Sequence, residues 1–183
     1  LTKSLQQALA EHKSIKVRAT LAANQAVDID ILRQMLQDPA SDVRAALLRD
    51  WWMDSSMELE LARDKEVSVR CAVATRERLG KAAQLLLATD PDISVRTSLL
   101  RRDDHFIFPL HRQAQEILAR DNQQPIRELL AAYPKVTPSV QLLLAKDSMI
   151  GVRKALAKGL QEFIGANLCE NAQLLLAQDH ESS

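Results

Sequence analysis

The sequence predicts an all-α fold: an array of about six two-helix repeats with no β-sheet. Three observations carry this. A Val-Arg or Ile-Arg pair recurs at Val17-Arg18, Val43-Arg44, Val69-Arg70, Val95-Arg96, Ile126-Arg127 and Val152-Arg153, at intervals of 26, 26, 26, 31 and 26 residues. A second marker, of the form Leu-Ala-x-Asp, keeps the same beat and ends at His12, Asp38, Asp64, Asp90, Asp121, Asp147 and Asp179. The chain is 46% hydrophobic but only 3% aromatic, with 4 Gly in 183 residues. Its core must therefore be built from Leu, Ala, Val and Ile, a mix that favours packed helices over sheets.

Each repeat reads in two parts. The first carries apolar residues four apart: Val17/Leu21, Val43/Leu47, Val69/Val73, Val95/Leu99, Ile126/Leu130 and Val152/Leu156. That spacing marks one helix face. Small residues beside it, Ala46, Ala72, Ser98 and Ala155, allow a neighbouring helix to approach. Asp38-Pro39 and Asp90-Pro91 read as N-caps followed by a first-turn proline, so Asp90 is expected to start a helix. The second part is a shorter apolar block, as in "ILRQML", "MELELA", "AAQLLLA" and "VQLLLA", with room for two turns. Turn-rich pieces such as "ANQAVDID" and "AYPKVTPS" lie between, and Thr137 or Ser139 is a candidate cap for the block that follows.

Two repeats depart from the beat, with insertions near 103–109 ("DDHFIFPLH") and 159–170 ("QEFIGANLCE"), where loops on one face are expected. The sequence starts inside one repeat and ends as another begins. Because repeat arrays need polar caps, a fragment of a longer array is expected, or ends covered by a partner or by self-association.

"LLAAYPKVTPSVQLLLAKDSMIGVRKALA" resembles the leucine-rich repeat variant family, as do "LQDPASDVRAALL" and "LATDPDISVRTSLL". The family's units run close to L-A-x-D-x-x-x-x-V-R-x-A-x-A-x-N/H-P-x-T-P. The resemblance covers nearly the whole chain, about six units, and residues 1–183 are expected to form a single array. It implies a right-handed superhelical solenoid in which an α-helix alternates with a short α- or 3₁₀-helix, a neighbour of the HEAT-like repeats. Some members carry a Cys-rich iron–sulfur module. Cys71 and Cys169, 98 residues apart, do not supply one, so no cofactor is carried over. Both cysteines read as buried free thiols in a reducing, cytoplasmic compartment.

Lys+Arg and Asp+Glu balance at 24 each, so no global field draws in nucleic acid. No apolar run approaches the roughly 18 residues of a membrane span. The ladder Asp38/Arg44, Asp64/Arg70, Asp90/Arg96, Asp121/Arg127 and Asp147/Arg153 has two readings. A stripe of free arginines would grip phosphates or an acidic peptide. Alternatively each Arg pairs with an Asp of its own repeat or the next, which the constant six-residue spacing and zero net charge favour. Arg18 stands apart, because His12 occupies its Asp position, and it reads as a free cation.

Function is expected where repetition fails. Trp51 and Trp52 in "DWWMD" are candidate partner anchors or repeat-junction fillers. Arg101, Arg102, His105, Phe106 and Phe108 in "RRDDHFIFPLH" form either a binding loop or a plug. His105 and His111 lack a third metal ligand. No nucleophile elbow, P-loop, HExxH or dinucleotide fingerprint is present, so no enzyme is expected. The expected function is a non-catalytic scaffold for a protein or peptide. The alternative is a nucleic-acid-binding HEAT-like protein with glycosylase-like chemistry at Trp51, Trp52, Asp50 and Asp54. A third reading, by fold analogy alone, is an accessory role beside a tetrapyrrole or metal enzyme.

Overall fold

Local sequence and packing together determine where each helix starts. In the computed structural model, residues 1–48, 53–101, 110–162 and 169–181 are described, with side chains except at 160–162 and 178–181. Among them the chain forms thirteen α-helices and no strand. It falls into two compact halves, Leu1–Ala83 and Gln84–Ser183.

The N-terminal half holds α1 (Lys3–Ala10), α2 (Ile15–Ala22), α3 (Ile29–Met35), α4 (Ser41–Ala46), α5 (Ser55–Leu61) and α6 (Val67–Ala74); the division falls inside α7 (Lys81–Ala88). Helices α2, α4 and α6 pack in a row, α1 lies against α2 and α3, and α5 lies against α6. The C-terminal half repeats the arrangement with α8 (Ile93–Leu100), α9 (Arg112–Leu118), α10 (Gln124–Ala131), α11 (Pro138–Leu144), α12 (Ile150–Glu162) and α13 (Glu170–Glu181). There α8, α10 and α12 form the row, and α11 packs against α10, α12 and α13.

The four-residue apolar pairs face inward in both rows. Val43, Leu47, Val69 and Val73 are fully buried in the first half, as are Val95, Leu99, Ile126, Leu130, Val152 and Leu156 in the second; Val17, at the edge, is half-buried. Each fully buried aliphatic side chain contributes about 1.5–3 kcal/mol. Small residues set the spacing of the row. A Cβ added at Gly159 of α12 would come within 2.8 Å of the Ala132 Cα that ends α10, so only glycine permits this approach.

The second helices have about the expected two turns: α3, α5, α9 and α11 have 7 residues each and α7 has 8, against 8 in α2, α6, α8 and α10, although α4 has only 6. One expectation is corrected: Asp38 and Asp90 do not cap helices. The N-caps are Ala40 and Asp92, and the two ladder carboxylates accept those residues' own N–H groups, each at 2.9 Å. The proline after each Asp therefore occupies the turn ahead of the helix, not its first turn. Thr137 is the N-cap of α11, but its side chain makes no capping bond.

Candidate functional site

The turn before each row helix begins with an Asp whose side chain bonds the N–H two residues on. Asp64 accepts from Glu66 at 2.8 Å, Asp121 from Gln123 at 2.8 Å and Asp147 from Met149 at 2.9 Å. His12 does the same through Nδ1, accepting from Ser14 at 3.0 Å. A short polar side chain here fixes the turn that launches the helix.

The Arg six residues later closes that turn. Its Nη1 donates to the carbonyl of the residue at the Asp position: His12 for Arg18 (2.8 Å), Asp38 for Arg44 (2.7 Å), Asp64 for Arg70 (2.8 Å), Asp90 for Arg96 (2.6 Å), Asp121 for Arg127 (2.8 Å) and Asp147 for Arg153 (2.6 Å). For Arg18, Arg44, Arg96 and Arg127 the carboxylate bound belongs to the next repeat. In the N-terminal half, Arg18 forks onto Asp38 at 2.6 and 3.0 Å, and Arg44 onto Asp64 at 2.5 and 2.7 Å. In the C-terminal half, Arg96 forks onto Asp121 at 2.6 and 3.2 Å, and Arg127 onto Asp147 at 2.6 and 3.1 Å.

Arg18 is thus not a free cation. The link needs only a backbone carbonyl on the near side, which His12 supplies, and a carboxylate on the far side. These pairs are well shielded; both side chains of Arg44–Asp64 are 6% exposed. Burial pushes the Asp38 and Asp64 carboxyls upward, but the Arg bond and the turn N–H outweigh it and hold both below the ordinary carboxylate value. For Asp147 the bond from Arg127 is the larger influence, and its carboxyl is also lowered.

A second periodic polar series went unread in the sequence. Gln6, Glu58, Gln84, Gln115 and Gln141 are buried in the short helices, in the same register as Leu32. Each accepts the N–H of a residue that opens the next short helix: Gln6 from Asp28 (2.8 Å), Glu58 from Gly80 (2.8 Å), Gln84 from His111 (2.6 Å), Gln115 from Thr137 (2.9 Å) and Gln141 from Cys169 (2.8 Å). Gln115 also donates to the Leu110 and Lys135 carbonyls at 2.8 and 3.1 Å. An amide with one acceptor and two donors suits this position because it satisfies several loop groups at once. Glu58 is the one carboxylate in the series, and Arg76 binds its second oxygen at 2.9 Å. The recurring "QLLLA" carries the signal, but its leucines masked the glutamine.

Of the residues expected to bind a partner, Arg101 is exposed and forms the C-cap of α8, its N–H bonded to the Thr97 carbonyl. Trp51, Trp52, Arg102, His105, Phe106 and Phe108, with both insertions for the most part, lie outside the described residues, as does Asp50. Asp54 caps α5 through bonds to the Ser56 and Met57 N–H groups and also binds Arg33 at 2.9 Å; the Ser56 hydroxyl, the Met57 N–H and Arg33 hold its carboxyl well below the usual range. His111 caps α9 through Nδ1. Cys71 and Cys169 are free but half-buried, not buried as expected: Cys71 lies on a flank of α6, and Cys169 opens the turn before α13.

Two surface concavities occur in the C-terminal half. A polar groove of about 720 Å3 runs between the turn 88–93 and the segment 117–123, with Asp90, Arg96 and Asp121 in its wall. A smaller, more apolar cleft of about 230 Å3 lies between α9 and α11. Among the described residues no three His, Cys, Asp or Glu side chains converge as a metal site, and no helix is long and apolar enough to cross a membrane. No protein-family model, curated protein or solved structure matches the chain.

Proposed function

We propose that the chain is a non-catalytic scaffold: a right-handed superhelical solenoid of about six two-helix repeats, akin to leucine-rich repeat variant proteins, that holds a protein or peptide partner on a curved surface in the cytoplasm. The observation that supports this is the repeated Arg-to-next-Asp link. A device used identically in successive repeats serves assembly of an array, and an array of this kind offers extended surface rather than one reactive centre. One support of the nucleic-acid alternative, a stripe of free arginines, is weakened, since Arg18, Arg44, Arg96 and Arg127 direct donors to carboxylates and carbonyls, and phosphate binding needs free cations.

The reading is tested by affinity capture with the purified array, identification of the captured protein, and reconstitution from purified components by calorimetry. A stoichiometric complex at micromolar or tighter affinity is expected. Failure to reconstitute any captured protein, together with salt-dependent binding of a DNA or RNA duplex, would replace it with the nucleic-acid reading.

A further inference from the structure

The outward face of the short helices changes character between the halves. In the N-terminal half the two positions after the buried series carry Gln7, Ala8, Arg33, Gln34, Leu59 and Glu60, four polar and two apolar. Several of these bond to the neighbouring helix: Gln7 donates to Gln34 at 3.2 Å, and Gln37 donates to Glu60. In the C-terminal half the same positions carry Leu85, Leu86, Ile117, Leu142, Leu143 and Leu175, all half-buried, Leu174, which is 59% exposed, and a single charged residue, Glu116. A mostly polar face gives way to a mostly aliphatic one.

The cleft between α9 and α11 lies on this face. Leu142 and Leu143 supply its apolar wall over the buried Val140, and Glu116, Arg120 and Lys146 its charged rim. Glu116 is neutralised by Arg112 at 2.8 Å. Arg120 is exposed and bonds only the Glu116 backbone carbonyl, at 3.0 Å. Among the described residues neither Arg120 nor Lys146 has a carboxylate partner, so the rim carries two uncompensated positive charges. Arg120 also lines the polar groove, joining the two concavities.

The geometry points to this cleft as the docking site for an acidic peptide segment bearing a bulky aliphatic residue, with the aliphatic side chain against Leu142 and Leu143 and its acidic neighbours on Arg120 and Lys146. This rests on the scaffold reading and names the partner chemistry. At about 230 Å3 the cleft is smaller than the roughly 300–1,000 Å3 of sites for free small ligands, and suits one side chain of a polymer. Its walls are aliphatic, without the aromatic platforms on which single-stranded bases stack, which favours peptide over nucleic acid. Charge complementarity selects the acidic peptide over a basic one.

The test uses the full chain and fluorescence anisotropy with three labelled probes: an amphipathic Glu/Leu peptide, its Lys/Leu counterpart, and a Glu/Ser peptide. The Glu/Leu probe is expected to bind best, and the double exchange Arg120→Glu/Lys146→Glu, with its helical signal unchanged, is expected to weaken it at least about tenfold. The same exchange is expected to improve binding of the Lys/Leu probe. Equal binding of the Glu/Leu and Lys/Leu probes, or a Glu/Leu affinity that survives the exchange, overturns the assignment. If it is overturned while a captured partner still reconstitutes on the array, the scaffold reading stands and only this site falls. If neither peptide nor captured partner binds, both fall.

Discussion

Arg44 and Asp64, twenty residues apart, meet through two parallel bonds, Nε to Oδ2 at 2.5 Å and Nη2 to Oδ1 at 2.7 Å. The remaining Nη1 donates to the Asp38 carbonyl at 2.7 Å, and Asp64 Oδ1 also accepts the Glu66 N–H at 2.8 Å. One guanidinium thus ties its own turn to the turn of the next repeat. A lysine places one compact charge and cannot serve both turns. Arg44→Lys is expected to cost about 1–3 kcal/mol in chemical denaturation. A loss within experimental error would mean that the fork is not structurally required.

The carboxylates set a pH dependence. The folded carboxyls of Asp38, Asp64 and Asp147 are all lowered, so each binds a proton less readily folded than unfolded. Their contribution is fully present above the unfolded value, about 3.9, and is lost as pH falls through the folded values. Helical signal should hold from neutral pH down to about pH 5 and unfolding should set in below about pH 4. Asp64→Asn removes one such group. It should lower stability at neutral pH and flatten the acid limb of a stability-versus-pH curve. An acid limb of unchanged slope would assign acid sensitivity to other groups.

The buried amides hold loops to helices. Gln115→Leu preserves volume approximately but leaves the Thr137 N–H without the acceptor that Gln115 provides, and removes a donor from the Leu110 and Lys135 carbonyls. A loss of about 2–4 kcal/mol is expected, since each stranded buried group costs about 1–3 kcal/mol. Hydrogen exchange should localise the effect, with faster exchange at Thr137 and in α11 and little change in α3. A uniform increase over both halves would contradict the local role.

The row helices were legible from Val-Arg and its apolar partner four residues on, because a 3.6-residue period leaves a direct trace. Asp-Pro misled. Asp can bond an N–H either as a helix N-cap or two residues ahead of one, and only the backbone path distinguishes them. The pairing of Arg with an Asp of its own repeat or the next was expected, but its direction was not. The near Asp contributes its carbonyl, a group every residue has, so the sequence could not show that His12 serves as well. The buried glutamines were overlooked because glutamine ordinarily lies on the surface, and nothing within one repeat distinguishes a buried copy. Only its recurrence at Gln84, Gln115 and Gln141 does. The positive rim at Arg120 and Lys146 was invisible for another reason: balanced totals conceal which charges find partners.

The direct test of the repeated Asp and Arg as architecture is a double-mutant cycle on equilibrium unfolding with Arg44→Met, Asp64→Leu and the pair together. Each single change should cost about 3–5 kcal/mol, because it leaves one charge buried without its counterion, whereas the double change should cost much less than their sum. A coupling energy of about 2 kcal/mol or more is the expected result. Single variants within about 0.5 kcal/mol of the parent, with no coupling between them, would contradict it.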